Sequence, residues 1–294
     1  MSTKATWGFA EGDLIAPGLH AMKLLGGGYE YEAYLAWDDH LFALIVAKVV
    51  RPDRIEDRGS IRQFQREAAT LARLSHPVIV RCFRAETSTG RPHLVLEHLE
   101  GRTLRSLLKR HGPLPMAQLL PLALEMCSAL HYLAQEQTIH LDVKPANIVM
   151  GAPPRLIDLS VARTFDEARS IRGPIGTDEY MAPEQCLPDA TAIGAAADMW
   201  GLGATLYQAL TGRLPFSKGD KESKVTEIRF PQVTEQPAPL SEKMPKLLAD
   251  VLMSALAKDH SSRPRPLDFT LALEPLVAAM RRRPVLGRPR PRLR

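Results

Sequence analysis

The segment Thr138–Met150 is the stretch that most constrains what this chain can fold into. Its polar residues His140, Asp142, Lys144 and Asn147 lie among apolar ones, which is typical of a tight loop anchored in a core at both ends. Such a loop suits the transfer of a charged group. The carboxylate of Asp142 could accept a hydroxyl proton, the ammonium of Lys144 could neutralise developing negative charge, and the amide oxygen of Asn147 could ligate a hard cation. An ordinary loop between two strands has the same local pattern, so other segments must decide between the two interpretations.

The composition favours a soluble globular protein. The chain has 294 residues, of which 45% are hydrophobic and 24% are charged. The longest apolar run, Leu41–Val50, is interrupted by Lys48 and is too short to span a membrane. The N-terminus lacks the apolar core of a signal peptide, and the three cysteines are far apart, as free thiols in a reducing cytosol would be. We therefore expect a cytoplasmic chain without a membrane span.

The basic character of the chain is concentrated at its end. Residues 281–294 contain seven arginines and no acid, so the net charge of +5 less these seven leaves −2 for residues 1–280. Arginine and proline at this density cannot build a core, which predicts a disordered tail. Such a tail could bind an anionic partner, namely nucleic acid, an anionic membrane or an acidic protein, or it could stay solvated without a fixed partner.

A glycine cluster lies between two segments of strand type near the N-terminus. Leu25 precedes Gly26, Gly27 and Gly28, and the second strand segment runs through Ala33. Glycines at such a turn let backbone N–H groups approach phosphate oxygens without a Cβ in the way. Three glycines are also a common composition for a turn without a ligand.

An apolar strand carries a lysine that needs a partner. Lys48 lies inside Leu41–Val50, and a buried ammonium is costly unless it is paired. In the segment 60–75 apolar residues recur at helical spacing, and Glu67 projects from that apolar face. We predict an ion pair between Lys48 and Glu67. The alternative is that Glu67 lies at the edge of the apolar stripe, in solvent.

The remaining pattern predicts a mixed α+β chain. Ser60 and Gln63 have the spacing of a capping box, which places the start of the first helix at Ser60. Residues 164–172 are polar and are expected to be flexible, and residues 217–245 are expected to be a surface excursion. Further strands are predicted at Val78–Cys82 and His93–Leu96, and further helices at Leu104–Lys109, Pro115–Ala134, Ala195–Thr211, Lys246–Ala257 and Asp268–Met280.

Together these motifs resemble those of eukaryotic-type (Hanks-type) serine/threonine protein kinases, and among them the bacterial members. His140–Asn147 is similar to the catalytic loop H-R-D-x-K-x-x-N, and the turn at Gly26 is similar to the loop G-x-G-x-x-G-x-V. Steps of 22 and 19 residues separate Gly26, Lys48 and Glu67, as they do in that family, and Ala182–Glu184 matches its A-P-E motif. The resemblance covers about residues 14–280.

The resemblance implies an α+β, bilobal protein kinase fold. A small β-rich N-lobe with one helix would occupy about residues 14–97, and a larger, mainly helical C-lobe about residues 98–280. Residues 1–13 would be an N-terminal extension and residues 281–294 the basic tail. ATP would bind between the lobes, and the partners of the chain would be protein substrates.

The resemblance also implies roles for individual residues. Asp142 would be the catalytic base, assisted by Lys144, and Asn147 and Asp158 would hold Mg²⁺. Asp198 would brace the catalytic loop, and Arg263 would pair with Glu184. The nucleotide would be contacted by Leu25, Gly26, Gly27, Gly28, Ala33, Val46, Lys48, Glu67, Glu97, Leu99 and Val149.

Three departures from the family pattern keep other functions open. Tyr31 replaces the third glycine of the loop, Leu141 replaces arginine before Asp142, and Ser160 replaces glycine after Asp158. A pseudokinase that serves as a binding scaffold is therefore an alternative to an active kinase. A small-molecule phosphotransferase is a third alternative, although such enzymes usually lack the A-P-E motif.

Leu141 also predicts how the chain is regulated. In many kinases an arginine at this position pairs with a phosphate on the activation segment and so switches the enzyme on. Leucine cannot form that pair, so we predict that phosphorylation of this segment is not the main control.

Overall fold

A six-stranded antiparallel sheet and one long helix form the smaller lobe. The computed structural model describes residues 5–88, 90–187 and 193–281. The strands lie in the order β1-β2-β3-β4-β6-β5. The elements are β1 (Leu14–Ala16), β2 (Leu19–Gly27), β3 (Tyr31–Asp38), β4 (Ala43–Val50), α1 (Arg58–Arg73), β5 (Cys82–Glu86) and β6 (His93–Glu97).

The register between β3 and β4 determines which side chains face the cleft between the two lobes. Ala33 lies opposite Lys48, and Tyr31 lies opposite Val50. Because side chains alternate along a strand, Tyr31 and Ala33 share the face from which Lys48 projects. On the other face, Tyr34 and its neighbours form an apolar core.

The segment before β1 covers that core. The indole N–H of Trp7 donates to the carbonyl of Val50 at 2.8 Å, and the ring of Phe9 meets Tyr34 edge-on with a centroid distance of 5.3 Å. These contacts attach residues 5–13 to the smaller lobe.

Helix α1 begins earlier than the sequence predicted. Asp57, not Ser60, is the N-cap, because its carboxylate accepts the backbone N–H of Ser60 at 2.9 Å. Ser60 lies in the first turn and donates its own hydroxyl to the same carboxylate at 2.6 Å. The predicted capping box is therefore wrong, although the helix and its buried face are present.

The predicted strand at Val78–Cys82 is also wrong. Strand β5 begins at Cys82, where the apolar run ends. Val78, Ile79 and Val80 are buried instead at the junction of the two lobes. Val80 donates to Leu156 at 3.0 Å and Leu156 donates to Val78 at 2.7 Å. This run is apolar because it crosses between lobes, and not because it lies within the sheet.

The larger lobe is mainly helical. Helix α6 has no polar face, as predicted, and ends at Gly212, which has φ 75° and accepts the left-handed conformation at low cost. Helix α3 continues through Pro121. The elements are β7 (Arg102–Thr103), α2 (Leu104–His111), α3 (Met116–Gln135), β8 (Thr138–Ile139), β9 (Ile148–Met150), β10 (Arg155–Leu156), β11 (Arg163–Thr164), α4 (Phe165–Ala168), α5 (Pro183–Cys186), α6 (Ala195–Thr211), α7 (Thr226–Arg229), α8 (Lys246–Ala255) and α9 (Pro266–Arg281).

Two segments of this lobe are more ordered than the sequence predicted. Thr164 and Glu167 form a reciprocal capping box that starts α4 inside the stretch expected to be flexible. In the stretch expected to lie on the surface, Phe230 is buried, and the buried side chain of Gln232 donates to the carbonyl of Asp178 at 2.6 Å. Both segments are rich in polar residues, so the sequence predicted flexibility in one and exposure in the other. In the structure these polar groups form hydrogen bonds within the protein.

Within residues 5–88, 90–187 and 193–281, no helix is both long enough and apolar enough to cross a membrane. Arg281 is the last residue of α9, and the rest of the predicted tail, residues 282–294, lies outside the described part of the chain.

Candidate functional site

The predicted loop at Thr138–Met150 is held from below by one buried carboxylate. Asp198 on α6 accepts the backbone N–H groups of His140 and Leu141 at 2.8 and 2.7 Å. Burial raises the pKa of Asp198, and the proximity of His140 and the two N–H donors oppose that rise. Leu141 adopts a positive φ of 65°, which L-residues rarely take, so the brace also stabilises a strained backbone.

A close approach between α6 and the loop requires a residue without a side chain. A Cβ added to Gly201 would lie 2.9 Å from the carbonyl oxygen of Val143. Gly201 therefore allows the helix to pack directly on the backbone that carries Asp142 and Lys144.

Three polar side chains donate hydrogen bonds to the carboxylate of Asp142. Lys144 donates to Oδ2 of Asp142 at 2.6 Å, and the amide of Asn147 donates to the same oxygen at 3.0 Å. Thr177 donates to Oδ1 of Asp142 at 2.7 Å, and Lys144 also donates to Thr177 at 2.6 Å. These contacts fix the orientation of the carboxylate. Asp142 itself lies at the floor of the cleft, on the side of the larger lobe.

Lys48 lies in a second cluster at the roof of the cleft. Its ammonium donates to both carboxylate oxygens of Glu67, at 2.7 and 2.8 Å, so the structure contains the predicted pair. It also donates to Oδ1 of Asp158 at 2.8 Å. Burial alone would lower the pKa of Lys48, but the charges of Asp158 and Glu67 raise it above its usual range. The side chain therefore stays charged.

Asp158 and Asn147 offer oxygen donors at the place where the two clusters meet. The backbone N–H of Ile157 donates to the carbonyl of Asn147 at 2.9 Å, which joins the two segments. Burial would raise the pKa of Asp158, but the ammonium of Lys48 holds it well below its usual range, so the carboxylate is charged. Because the amide nitrogen of Asn147 is directed to Asp142, the amide oxygen is the atom available for a ligand. A carboxylate and an amide oxygen fit a hard cation such as Mg²⁺.

Of the three glycines predicted to lie between two strands, Gly28 does so, whereas Gly26 and Gly27 form the end of β2 and pair with β3. A Cβ added to Gly27 would lie 2.5 Å from the carbonyl oxygen of Tyr31, so this position excludes side chains. Gly28 donates its N–H to the same carbonyl at 3.0 Å. Gly26 lies opposite Ala33, and Leu25 is 51% exposed.

The segment that joins the lobes lies at the end of β6. Val46 is opposite Leu96 in the sheet, and Val149 is buried on β9 in the larger lobe. The backbone N–H of Glu97 donates to the carbonyl of Arg81 at 2.9 Å and is therefore already engaged. The carbonyl of Glu97 is the backbone group of this residue that could contact adenine. Leu99 is partly buried against the main core.

The sequence did not reveal the position of Tyr31. The ammonium of Lys48 lies over its ring, 3.8 Å from the centroid. Burial raises the pKa of Tyr31 to about 12, against which the charge of Lys48 acts. The alternation of side chains along β3 could have placed Tyr31 on the cleft face, because it lies two residues before Ala33.

Buried polar contacts hold the segment around the A-P-E motif, Ala182–Glu184. Arg263 donates to both carboxylate oxygens of Glu184, at 2.6 and 2.8 Å, as the resemblance implied. Gln185 donates to the carbonyls of Leu141 and Ile175 at 2.9 and 2.8 Å. The end of this segment is thus tied directly to the loop that carries Asp142.

An ion pair ties helix α4 to the smaller lobe. Arg66 on α1 donates to Glu167 on α4 at 2.9 Å, and both side chains are about one-third exposed or more. Leu141 does not take part, because its side chain is buried among the apolar residues of the larger lobe, where it shares a cluster with Ile139 and Ala168.

Comparison with known proteins agrees with this geometry. Residues 19–271 match the family model described as "Protein kinase domain". The chain is 36% identical over 252 residues to the serine/threonine-protein kinase PknB of Mycobacterium leprae, and 35% identical over 255 residues to that of Mycolicibacterium smegmatis. Both alignments cover 82% of this chain and 40% of the relative, so the chain spans well under half the length of these relatives. The match extends across both lobes and includes the two clusters that face each other in the cleft, and on these grounds the chain belongs to the protein kinase domain family.

Proposed function

We propose that this chain is an ATP-dependent serine/threonine protein kinase that transfers the γ-phosphoryl group of ATP to hydroxyl groups of protein substrates. The observation that carries this proposal is the hydrogen-bond network around Asp142, in which Lys144 and Thr177 orient a carboxylate opposite the Lys48–Glu67 pair. The names of the bacterial relatives support the same reaction.

Asp142 would accept the proton of the substrate hydroxyl. A carboxylate held by three donors cannot rotate away, so the hydroxyl oxygen would meet it in a fixed orientation. Lys144 would stabilise the negative charge that develops on the transferred group, because its ammonium is bound to this carboxylate and lies at the same floor of the cleft.

The nucleotide would lie between the glycine turn and the floor of the cleft. Gly26, Gly27 and Gly28 would let backbone N–H groups approach the phosphates, and Lys48, held by Glu67, would supply the positive charge. Leu25, Ala33, Val46 and Val149 would enclose the adenine, and backbone groups of Glu97 and Leu99 would contact its polar edge.

Asn147 and Asp158 would hold Mg²⁺. When bound, this ion would supply positive charge that offsets the negative charge of the phosphates. The chain supplies the ligands. Asp158 supplies a carboxylate that stays charged because Lys48 depresses its pKa. Asn147 supplies an amide oxygen that is oriented by the bonds of its amide nitrogen to Asp142.

The contact between Lys144 and Thr177 supports serine/threonine specificity. The bond of 2.6 Å ties the floor of the cleft to the segment that would hold the substrate peptide. A short aliphatic hydroxyl has to reach deep into the cleft to meet Asp142, which a closely held segment favours. Tyrosine kinases usually lack the lysine at this position.

For the domain we propose residues 14–280, with the N-lobe at 14–97 and the C-lobe at 98–280. The contacts of Trp7 and Phe9 support adding residues 5–13 to the N-lobe. We further propose that the whole protein phosphorylates protein substrates in the cytoplasm. We also propose that its basic tail binds an anionic partner.

The test is transfer of labelled phosphate from ATP to a generic basic protein in the presence of Mg²⁺. We expect transfer by the unmodified chain and a loss of at least about a hundredfold in Asp142→Ala, with nucleotide binding retained. Transfer that is unchanged in Asp142→Ala would reject Asp142 as the base. Nucleotide binding without any transfer by the unmodified chain would favour the pseudokinase scaffold, and transfer only to small hydroxylated compounds would favour a small-molecule phosphotransferase.

A further inference from the structure

Two of the departures from the kinase pattern lie in segments that contact Lys48. Tyr31 stands where the family has the third glycine of its loop, and Ser160 stands where it has the glycine after Asp158. They belong to different lobes, yet the ring of Tyr31 lies against the ammonium of Lys48, and Ser160 lies two residues after Asp158, which accepts a hydrogen bond from the same ammonium. Both departures therefore act at one place, the surroundings of Lys48.

The ammonium of Lys48 has no donor left for a phosphate in this arrangement. An ammonium group has three N–H bonds. Lys48 directs them to the two oxygens of Glu67 and to Asp158, at 2.7, 2.8 and 2.8 Å. The ring of Tyr31, whose centroid is 3.8 Å away, covers a further side of the same nitrogen.

The ring is stable in this position for two reasons. Lys48 is buried, and the attraction between a cation and an aromatic face is larger where water is excluded. The register of β3 against β4 also fixes the backbone of Tyr31 opposite Val50, so the side chain has to project over the neighbouring pair Ala33–Lys48.

We propose that Tyr31 gates the phosphate site: its ring occupies the side of Lys48 that the phosphates of a nucleotide need, and binding has to displace it. The proposal rests on the proposed function, because it assumes that the nucleotide approaches Lys48. Displacement frees one face of the ammonium, and Asp158 can then turn from Lys48 to a cation.

The gate predicts a difference between ligands with and without phosphates. If the closed state is the more populated one, the apparent affinity for ATP falls by the fraction of open molecules. Adenosine does not reach Lys48, so its affinity should not depend on the gate. Tyr31→Ala should therefore tighten the binding of ATP with Mg²⁺ by at least about fivefold, which corresponds to the loss of a partly desolvated cation–π contact, and leave adenosine within about twofold.

The test is isothermal titration of the full chain with ATP·Mg²⁺ and with adenosine. Tyr31→Phe keeps the ring and should bind ATP nearly as the unmodified chain does. Tyr31→Thr, a strand former with a small side chain, replaces Tyr31→Ala if the melting temperature shows that alanine unfolds the sheet. Tyr29→Ala is the matched control, because Tyr29 lies in the same turn and its aromatic ring contacts Arg54.

The outcomes separate this inference from the proposed function. Tighter ATP binding in Tyr31→Ala, with adenosine and Tyr29→Ala unchanged, supports the gate. ATP binding that is equal or weaker in Tyr31→Ala overturns it and leaves the kinase proposal standing. If neither the unmodified chain nor Tyr31→Ala binds ATP, the gate and the proposed function fall together.

Discussion

The hydroxyl of Thr177 donates a hydrogen bond of 2.7 Å to Oδ1 of Asp142, although the two residues are 35 positions apart. The bond joins the segment that precedes the A-P-E motif to the floor of the cleft. Because Lys144 donates to the same hydroxyl, loss of Thr177 would remove one hydrogen bond from each of these two side chains at once.

Replacement of Thr177 should therefore lower the transfer rate more than nucleotide binding. We expect Thr177→Val to reduce kcat by at least about tenfold, the size of one lost hydrogen bond to a charged group, while the Kd for ATP stays unchanged. Thr177→Ser keeps the hydroxyl and is the control. A valine variant with full kcat would show that the bond does not orient Asp142.

Loss of Lys48 should affect stability as well as transfer. Lys48→Met leaves the carboxylate of Glu67, which is 1% exposed, without its partner. We expect the free energy of unfolding to fall by about 1–3 kcal/mol and transfer to collapse. Chemical denaturation and a transfer assay measure the two effects.

Lys23→Met is the matched control for that prediction, because Lys23 is exposed on β2 of the same sheet. The double variant Lys48→Met with Glu67→Gln should recover part of the lost stability, since it removes the unpaired buried charge. Equal stability of the Lys48→Met and unmodified chains would contradict a paired role for Glu67.

Phosphorylation of the segment 164–172 should not be the main control of activity. Leu141 is buried and cannot contact a phosphate, and the pair Arg66–Glu167 already ties α4 to α1 with a carboxylate. An exposed ion pair contributes below about 1 kcal/mol, so a further phosphate beside it would shift the segment by less than about tenfold.

Phosphatase treatment and Ser170→Ala should each leave a large fraction of the activity. Thr164 is unsuitable for this test, because its hydroxyl caps α4 and its loss would weaken the helix directly. Loss of activity on phosphatase treatment would mean that another basic residue completes a phosphate site.

The stability of the fold should depend on Tyr31 at alkaline pH. The pKa of Tyr31 is raised from 10.0 to about 12, so above pH 10 the unfolded chain gives up this proton more readily than the folded one. The contribution is fully present below pH 10 and is lost as the pH rises towards 12. Melting temperatures between these pH values should fall less steeply in Tyr31→Phe, whereas parallel curves would show that Tyr31 ionises normally.

Removal of residues 282–294 should leave both the fold and transfer intact. The described core ends with α9 at Arg281, and arginine and proline add little apolar surface to bury. Melting temperature and transfer rate are the measurements, and a large fall in either would show that the tail docks on the domain.

The sequence predicted those features that depend on residue type at fixed spacing. The Lys48–Glu67 pair followed from a charge in an apolar strand and a charge on an apolar helical face, and the buried α6 followed from its lack of a polar face. Each of these depends on local periodicity, which a single sequence displays directly.

Features that depend on the path of the backbone and on strand register were not predicted. Asp57 and Ser60 are both acceptable N-caps, and only the backbone geometry selects Asp57. The run Val78–Val80 has the composition of a strand but packs across the lobes. The contact between Tyr31 and Lys48 needs the strand register, which alternation alone does not specify.

The pair Arg263–Glu184 has a consequence for how the chain is made. The two residues are 79 positions apart, and the guanidinium is fully buried. During synthesis Glu184 leaves the ribosome long before Arg263, so the segment that contains it must wait as an unpaired carboxylate beside a partly formed core. The six-stranded sheet of the smaller lobe lies within the first hundred residues and can form in the meantime. The nascent chain therefore acquires its six-stranded sheet early, and the segment that contains Glu184 is locked only when Arg263 has emerged.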